Sequence, residues 1–152
     1  MLANIKPEDL PNIDVLNHKP HSLQDASYNC IGFAAETPGV ELENWYPIDL
    51  EGFVWPIPNP KKRDVDEFIR AFRTLRYEPC DNGDPEPGFE KVVFYGDKIR
   101  NETEVLHASR QLKDGTWTSK LGPDEDIIHQ NVNDVADGMY GDVLQFMKRE
   151  RL

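Results

Sequence analysis

Cys30 lies in the stretch Tyr28-Asn29-Cys30-Ile31-Gly32-Phe33, which continues into Ala34 and Ala35. A thiol attacks as its thiolate, and both a helix N-terminus and a nearby imidazole favour that form. The apolar run over 26–36, stopped by Thr37-Pro38-Gly39, predicts a buried helix with Ser27 or Asn29 as its cap. Cys30 then falls in the first turn, where its backbone N–H has no partner in the helix and is free to donate to a developing oxyanion. Of the four histidines, His107 is the candidate base, because it lies inside a predicted strand. His18 and His21 belong to an irregular arm, and His129 follows the sheet. A third polar group must orient the imidazole. A loop of Lys113-Asp114-Gly115 with a bulge sets Ser109 opposite Ser119 on the His107 face, whereas a tight Asp114-Gly115 turn sets Thr118 and Lys120 there.

The elements that must hold these groups follow from periodicity and from turn residues. Residues 1–25 are rich in Asn, Asp, Pro and His without a sustained period, and predict an irregular arm with one helical turn at 7–10. Residues 38–60 carry Pro47, Pro56, Pro58 and Pro60 among Trp45, Tyr46, Phe53 and Trp55, which predicts a stiff aromatic loop. Such a loop either grips a substrate, with Trp45 and Trp55 joining Tyr28 as binding residues, or seals a small core. Over 64–75, Val65, Phe68, Ile69, Phe72 and Leu75 share one helical face behind a capping box of Asp64 and Glu67. Strands are expected at 91–95 and, as a hairpin, at 105–112 and 116–121. Val143, Phe146 and Met147, followed by Lys148, Arg149 and Arg151, predict a helix over 140–151.

The hexapeptide around Cys30 resembles the aromatic-Asp-Cys-Ser-Gly-Phe box of NlpC-type papain-like cysteine hydrolases. Glu86-Pro87-Gly88 before Val92-Val93-Phe94-Tyr95, and then His107, is similar to that family's order of elements. Asn29 and Ile31 stand where the family has Asp and Ser, and Ser109 where it has Gly. The resemblance implies a catalytic pair of Cys30 and His107 and favours Ser119 as the third residue. It also implies an α+β, papain-like fold in which an N-terminal Cys helix packs on a small antiparallel β-sheet, with a C-terminal helix at the end of the chain. The string from His107 to Leu112 with Gly115 to Gly122 also resembles a group of small uncharacterised bacterial proteins, which implies no activity.

A chain of 152 residues is read as one domain spanning 1–152. No apolar run approaches the roughly 20 residues of a membrane helix. Nothing at the amino terminus reads as a secretion signal, so a cytoplasmic protein is expected without membrane contact. The net charge of -11 disfavours nucleic acid, whose affinity comes from neutralising phosphates. Two cysteines in unlike contexts give no disulfide framework. His18 and His21 with Asp14 and Asp25 have a metal-like spacing, but Pro20 interrupts it and no metal is expected. Glycine-rich phosphate loops are missing, and no cofactor is expected. The function expected is a thiol hydrolase or acyltransferase acting on an amide bond of a peptide or protein through Cys30 and His107. The alternative is a non-enzymatic acidic binding or inhibitor protein on the same fold with an idle Cys-His pair. A free cysteine and a strand histidine are also common core residues.

Overall fold

The apolar run Val92-Val93-Phe94-Tyr95 has no polar alternation, which a strand tolerates only when both of its faces are covered. The computed structural model describes residues 5–22, 28–39, 41–48, 50–60, 62–121 and 126–151 and places this run on an interior strand of a sheet. In chain order the elements are β1 (His18–Ser22), α1 (Cys30–Ala34), α2 (Val65–Arg73), β2 (Glu78–Cys80) and β3 (Phe89–Ile99). They are followed by β4 (Glu102–Gln111), β5 (Trp117–Lys120), β6 (Asp126–His129), a 3-10 turn (Val132–Val135) and β7 (Asp142–Glu150). The strands form one seven-stranded sheet in the order β1-β6-β5-β4-β3-β7-β2, and every pairing in it is antiparallel.

Each face of the sheet has its own core. Val92, Phe94, Val105, Ala108 and Met147 pack under α1 and α2 against Ile31, Phe68 and Phe72. Val93, Tyr95, Trp117 and Ile127 face the other way, under Leu10 of the arm and Val135, Ala136 and Tyr140. The arm is tied down by the Met139 N–H donating to the Asp9 carbonyl at 2.8 Å and by the Asn12 amide donating to the Asn133 carbonyl at 2.9 Å. Its 18–22 segment then pairs with β6 as an edge strand.

Helix α2 forms where the pattern predicts it. The Asp64 carboxylate accepts from the Glu67 N–H at 3.0 Å, and Arg70 and Arg73 occupy the last turn. Helix α1 is short and begins at Cys30, with Asn29 as its cap. The β4–β5 hairpin closes through Lys113-Asp114-Gly115, with Gly115 at φ +90, and Arg110 lies opposite Thr118. This register sets Ser109 against Ser119.

The expected α+β, papain-like arrangement with a C-terminal helix is overturned by this topology. The segment predicted as that helix is strand β7, paired along its length with β3. A bulge at Leu144, between the partners of Tyr95 and Phe94, displaces the strand's alternation, so Val143, Phe146 and Met147 acquire helix-like spacing. Strands β1, β2 and β6 extend the sheet beyond the small one expected. Among the described residues no helix is long and apolar enough to cross a membrane.

Candidate functional site

Asn29, the neighbour of Cys30, makes three side-chain hydrogen bonds. The Asn29 side-chain oxygen accepts from the Gly32 N–H at 2.8 Å and the Trp45 N–H at 3.0 Å, while its amide donates to the Trp45 carbonyl at 2.8 Å. One residue thus caps α1 and clamps the aromatic loop to it. Gly32 permits the approach, since a Cβ there would fall 1.7 Å from the Glu43 carbonyl oxygen.

The half-buried Cys30 side chain packs with the core on the Ala108 face. Burial pushes its thiol up to about 11, opposed by the backbone N–H groups of Ala108, Ile31 and Cys30 itself and by the charge of Lys120. Lys120 is only 1% exposed and its ammonium has no hydrogen-bond partner among the described residues. It stands 4.8 Å from the centre of the Tyr28 ring. The Tyr28 hydroxyl donates to the Asp126 carboxylate at 3.2 Å, and Asp126 lies across from Lys120 on β6. Tyr28 also stacks on Phe33 of α1 at 5.7 Å. Cys30, Lys120, Tyr28 and Asp126 therefore form one polar constellation at the edge of the apolar core under α1.

His107 is not part of it. Ala108 pairs with Phe94 on the Cys30 face, whereas His107 pairs with Tyr95 on the opposite face. The imidazole is fully buried, stacked on Tyr140 at 3.8 Å and beside Tyr95 at 5.4 Å. Neither ring nitrogen has a hydrogen-bond partner among the described residues. Burial, with a further push from His129, holds it well below the usual imidazole range. The sheet separates this ring from the thiol.

Ser119 does meet an imidazole, that of His129. Its hydroxyl lies 2.8 Å from His129 Nε2 and 2.6 Å from the Ser109 hydroxyl. His129 Nδ1 is 2.9 Å from the Asn131 carbonyl, and the Tyr95 hydroxyl donates to the Val132 carbonyl at 2.8 Å. Nδ1 faces a carbonyl and so carries the proton of a neutral His129, Nε2 accepts from Ser119, and the single Ser109 proton is shared between Ser119 and the Tyr95 hydroxyl 3.3 Å away. Ser109, Ser119 and His129 are fully buried, so this network serves the core.

Trp45 and Trp55 close the core over α2. Trp45 meets Phe72 at 6.0 Å, Trp55 meets Phe68 at 4.9 Å, and the Trp55 indole N–H donates to Glu67 at 2.9 Å. Of the candidate binding residues only Tyr28 faces the Lys120 ammonium. His18 bonds the Asp14 carbonyl, His21 is exposed, and Asp25 lies outside the described residues. Among the described residues no cluster of His, Cys, Asp and Glu is arranged to hold a metal.

Lys120 was legible only as an alternative orienting residue for His107. The stronger signal was parity, since the register that pairs Ser109 with Ser119 sends Thr118 and Lys120 to the Ala108 face.

Fold and site together define an antiparallel-sheet protein with a helix-borne thiol beside a buried ammonium. Residues 19–148 match a family described as a domain of unknown function (DUF7689), and the chain belongs to that family. No curated protein and no solved structure matches the chain.

Proposed function

We propose that the protein is a thiol hydrolase or acyltransferase acting on an amide bond through Cys30, with Lys120 in place of His107 as the charge that favours the thiolate. The observation that supports this reading is the buried ammonium of Lys120, which is costly to hold without a hydrogen-bond acceptor among the described residues and whose charge acts on the Cys30 thiol. In the reaction Sγ bonds to the carbonyl carbon as the thiol proton passes to solvent, and the carbonyl electron pair moves onto oxygen, next to the Cys30 N–H. Collapse of that intermediate breaks the C–N bond, and the amine leaves with a proton from solvent. Water, or an acceptor amine or alcohol, then adds to the thioester and restores the thiol.

The second reading is the acidic binding protein. It draws on two observations, the separation of His107 from Cys30 by the sheet and a thiol held protonated at neutral pH.

Alkylation by iodoacetamide in a Cys80→Ser background distinguishes the two. Under the thiol reading Cys30 reacts in the folded protein, at a rate that climbs with pH toward about 11. Lys120→Met displaces that climb to higher pH, and His107→Phe leaves it in place. A Cys30 that reacts only after unfolding overturns the thiol reading in favour of the binding protein.

A further inference from the structure

The ammonium of Lys120 has three N–H donors and no hydrogen-bond acceptor among the described residues, and it faces the Tyr28 ring, an interaction with π electrons that uses no oxygen acceptor. Burial has removed the water that would otherwise serve those donors. Asp126, across from Lys120, is engaged by the Tyr28 hydroxyl, which fixes the ring that faces the ammonium. A cation held in this way beside a nucleophile has the chemistry of a subsite for an anionic group.

Resting on the assignment of Cys30 as the reactive thiol, we infer that the site takes substrates whose acyl portion carries a carboxylate, with Lys120 as its binding partner beside the attacked carbon. A carboxylate supplies two acceptor oxygens to donors that have none among the described residues, and a charge-assisted hydrogen bond in a dry site is among the stronger polar contacts. The protein's net charge of -11 works against the approach of anions, so selectivity for one arises from this local cation. The same charge favours the thiolate, and the two roles need separate readouts.

A matched pair of reagents supplies them. Iodoacetate and iodoacetamide form the same S–C bond at the same thiolate and expel the same iodide, but only iodoacetate carries a carboxylate. The ratio of their rates at Cys30 cancels the thiolate fraction, and so is blind to the thiol's pKa. In the Cys80→Ser protein the iodoacetate-to-iodoacetamide ratio is expected to be about tenfold higher folded than in urea, as for one charged hydrogen bond gained. Lys120→Met should abolish the enhancement, and Lys120→Arg should retain most of it. A folded-state ratio equal to the unfolded one overturns the carboxylate subsite while leaving Cys30 a reactive thiol. So does an enhanced ratio that persists in a folded Lys120→Met. The folded-to-unfolded comparison in the Cys80→Ser protein decides the question even if Lys120→Met does not fold. Failure of both reagents to label the folded protein overturns the thiol assignment itself, and the subsite with it.

Discussion

His107 and His129 are imidazoles from which water has been removed, and each is held below the usual value of 6.5 chiefly by burial. The unfolded chain therefore binds protons that the folded chain refuses, so stability is complete above about pH 6.5 and declines as pH falls toward the folded-state values. Urea midpoints at pH 7.5 and 5.5 should show that decline. His107→Phe, which keeps a ring against Tyr95 and Tyr140, should shrink it without abolishing it, because His129 still titrates. Equal declines in both proteins would show that His107 takes no part. At this scale the sequence revealed what was local. The Asn29 cap and the place of Cys30 in the first turn of α1 follow from neighbours within a few positions. The partner of Cys30 depended on which face of β4 each residue presents, and there the expected His107 lay on the wrong side. A bulge, in which Tyr95 pairs with His107 but Gly96 with Val105, further complicates that parity.

Helix α1 is a single short turn, too short to be stable on propensity alone. Its position rests on Asn29 and Gly32. Asn29→Ala removes the cap and both bonds to Trp45, and is expected to cost about 2 kcal/mol, at the upper end for a lost cap. Because the same side chain clamps the aromatic loop, the tryptophan emission of the folded variant should shift as well. Gly32→Ala drives a methyl into the Glu43 carbonyl and is expected to destabilise by about 1–3 kcal/mol, as overpacking does. A Gly32→Ala protein with unchanged urea midpoint would mean that the loop yields freely. Elements with a strong local signal were legible: α2 by its period, the centre of β3 by its unbroken apolar run and the hairpin by its Asp-Gly turn. Strands β2 and β6 are too short for a period, and β7 reads as a helix because the Leu144 bulge shifts its phase.

On the scale of the whole molecule, sheet order cannot be read from local pattern, since it depends on pairings such as β1 with β6 that span most of the chain. What joins the distant parts is an ion network around Glu90 at the far end of β3. Its carboxylate accepts from Arg149 at 2.7 Å and from Arg151 at 3.2 Å, and lies 3.4 Å from Arg110, whose guanidinium also meets Glu36. Arg149 in turn donates to the Glu36 carbonyl at 2.8 Å and the Leu75 carbonyl at 3.1 Å, tying the ends of both helices to β7. Burial acts to raise the Glu90 carboxyl, but the Arg149 hydrogen bond and the charges of Arg110 and Arg149 outweigh it and hold it below 4.5. A lowered carboxyl contributes stability that is present above about pH 4.5 and is lost as pH falls through its folded value, a second acid transition below that of the histidines. Glu90→Gln leaves Arg149 buried without its counter-charge and is expected to cost about 3–5 kcal/mol in urea denaturation. Adding Arg149→Met should restore much of the loss, because the uncompensated charge, more than the absent bond, is what destabilises. If the double variant is no more stable than Glu90→Gln alone, the carbonyl bonds of Arg149 would be the true fastening between β7 and the two helices, and the carboxylate only their neighbour.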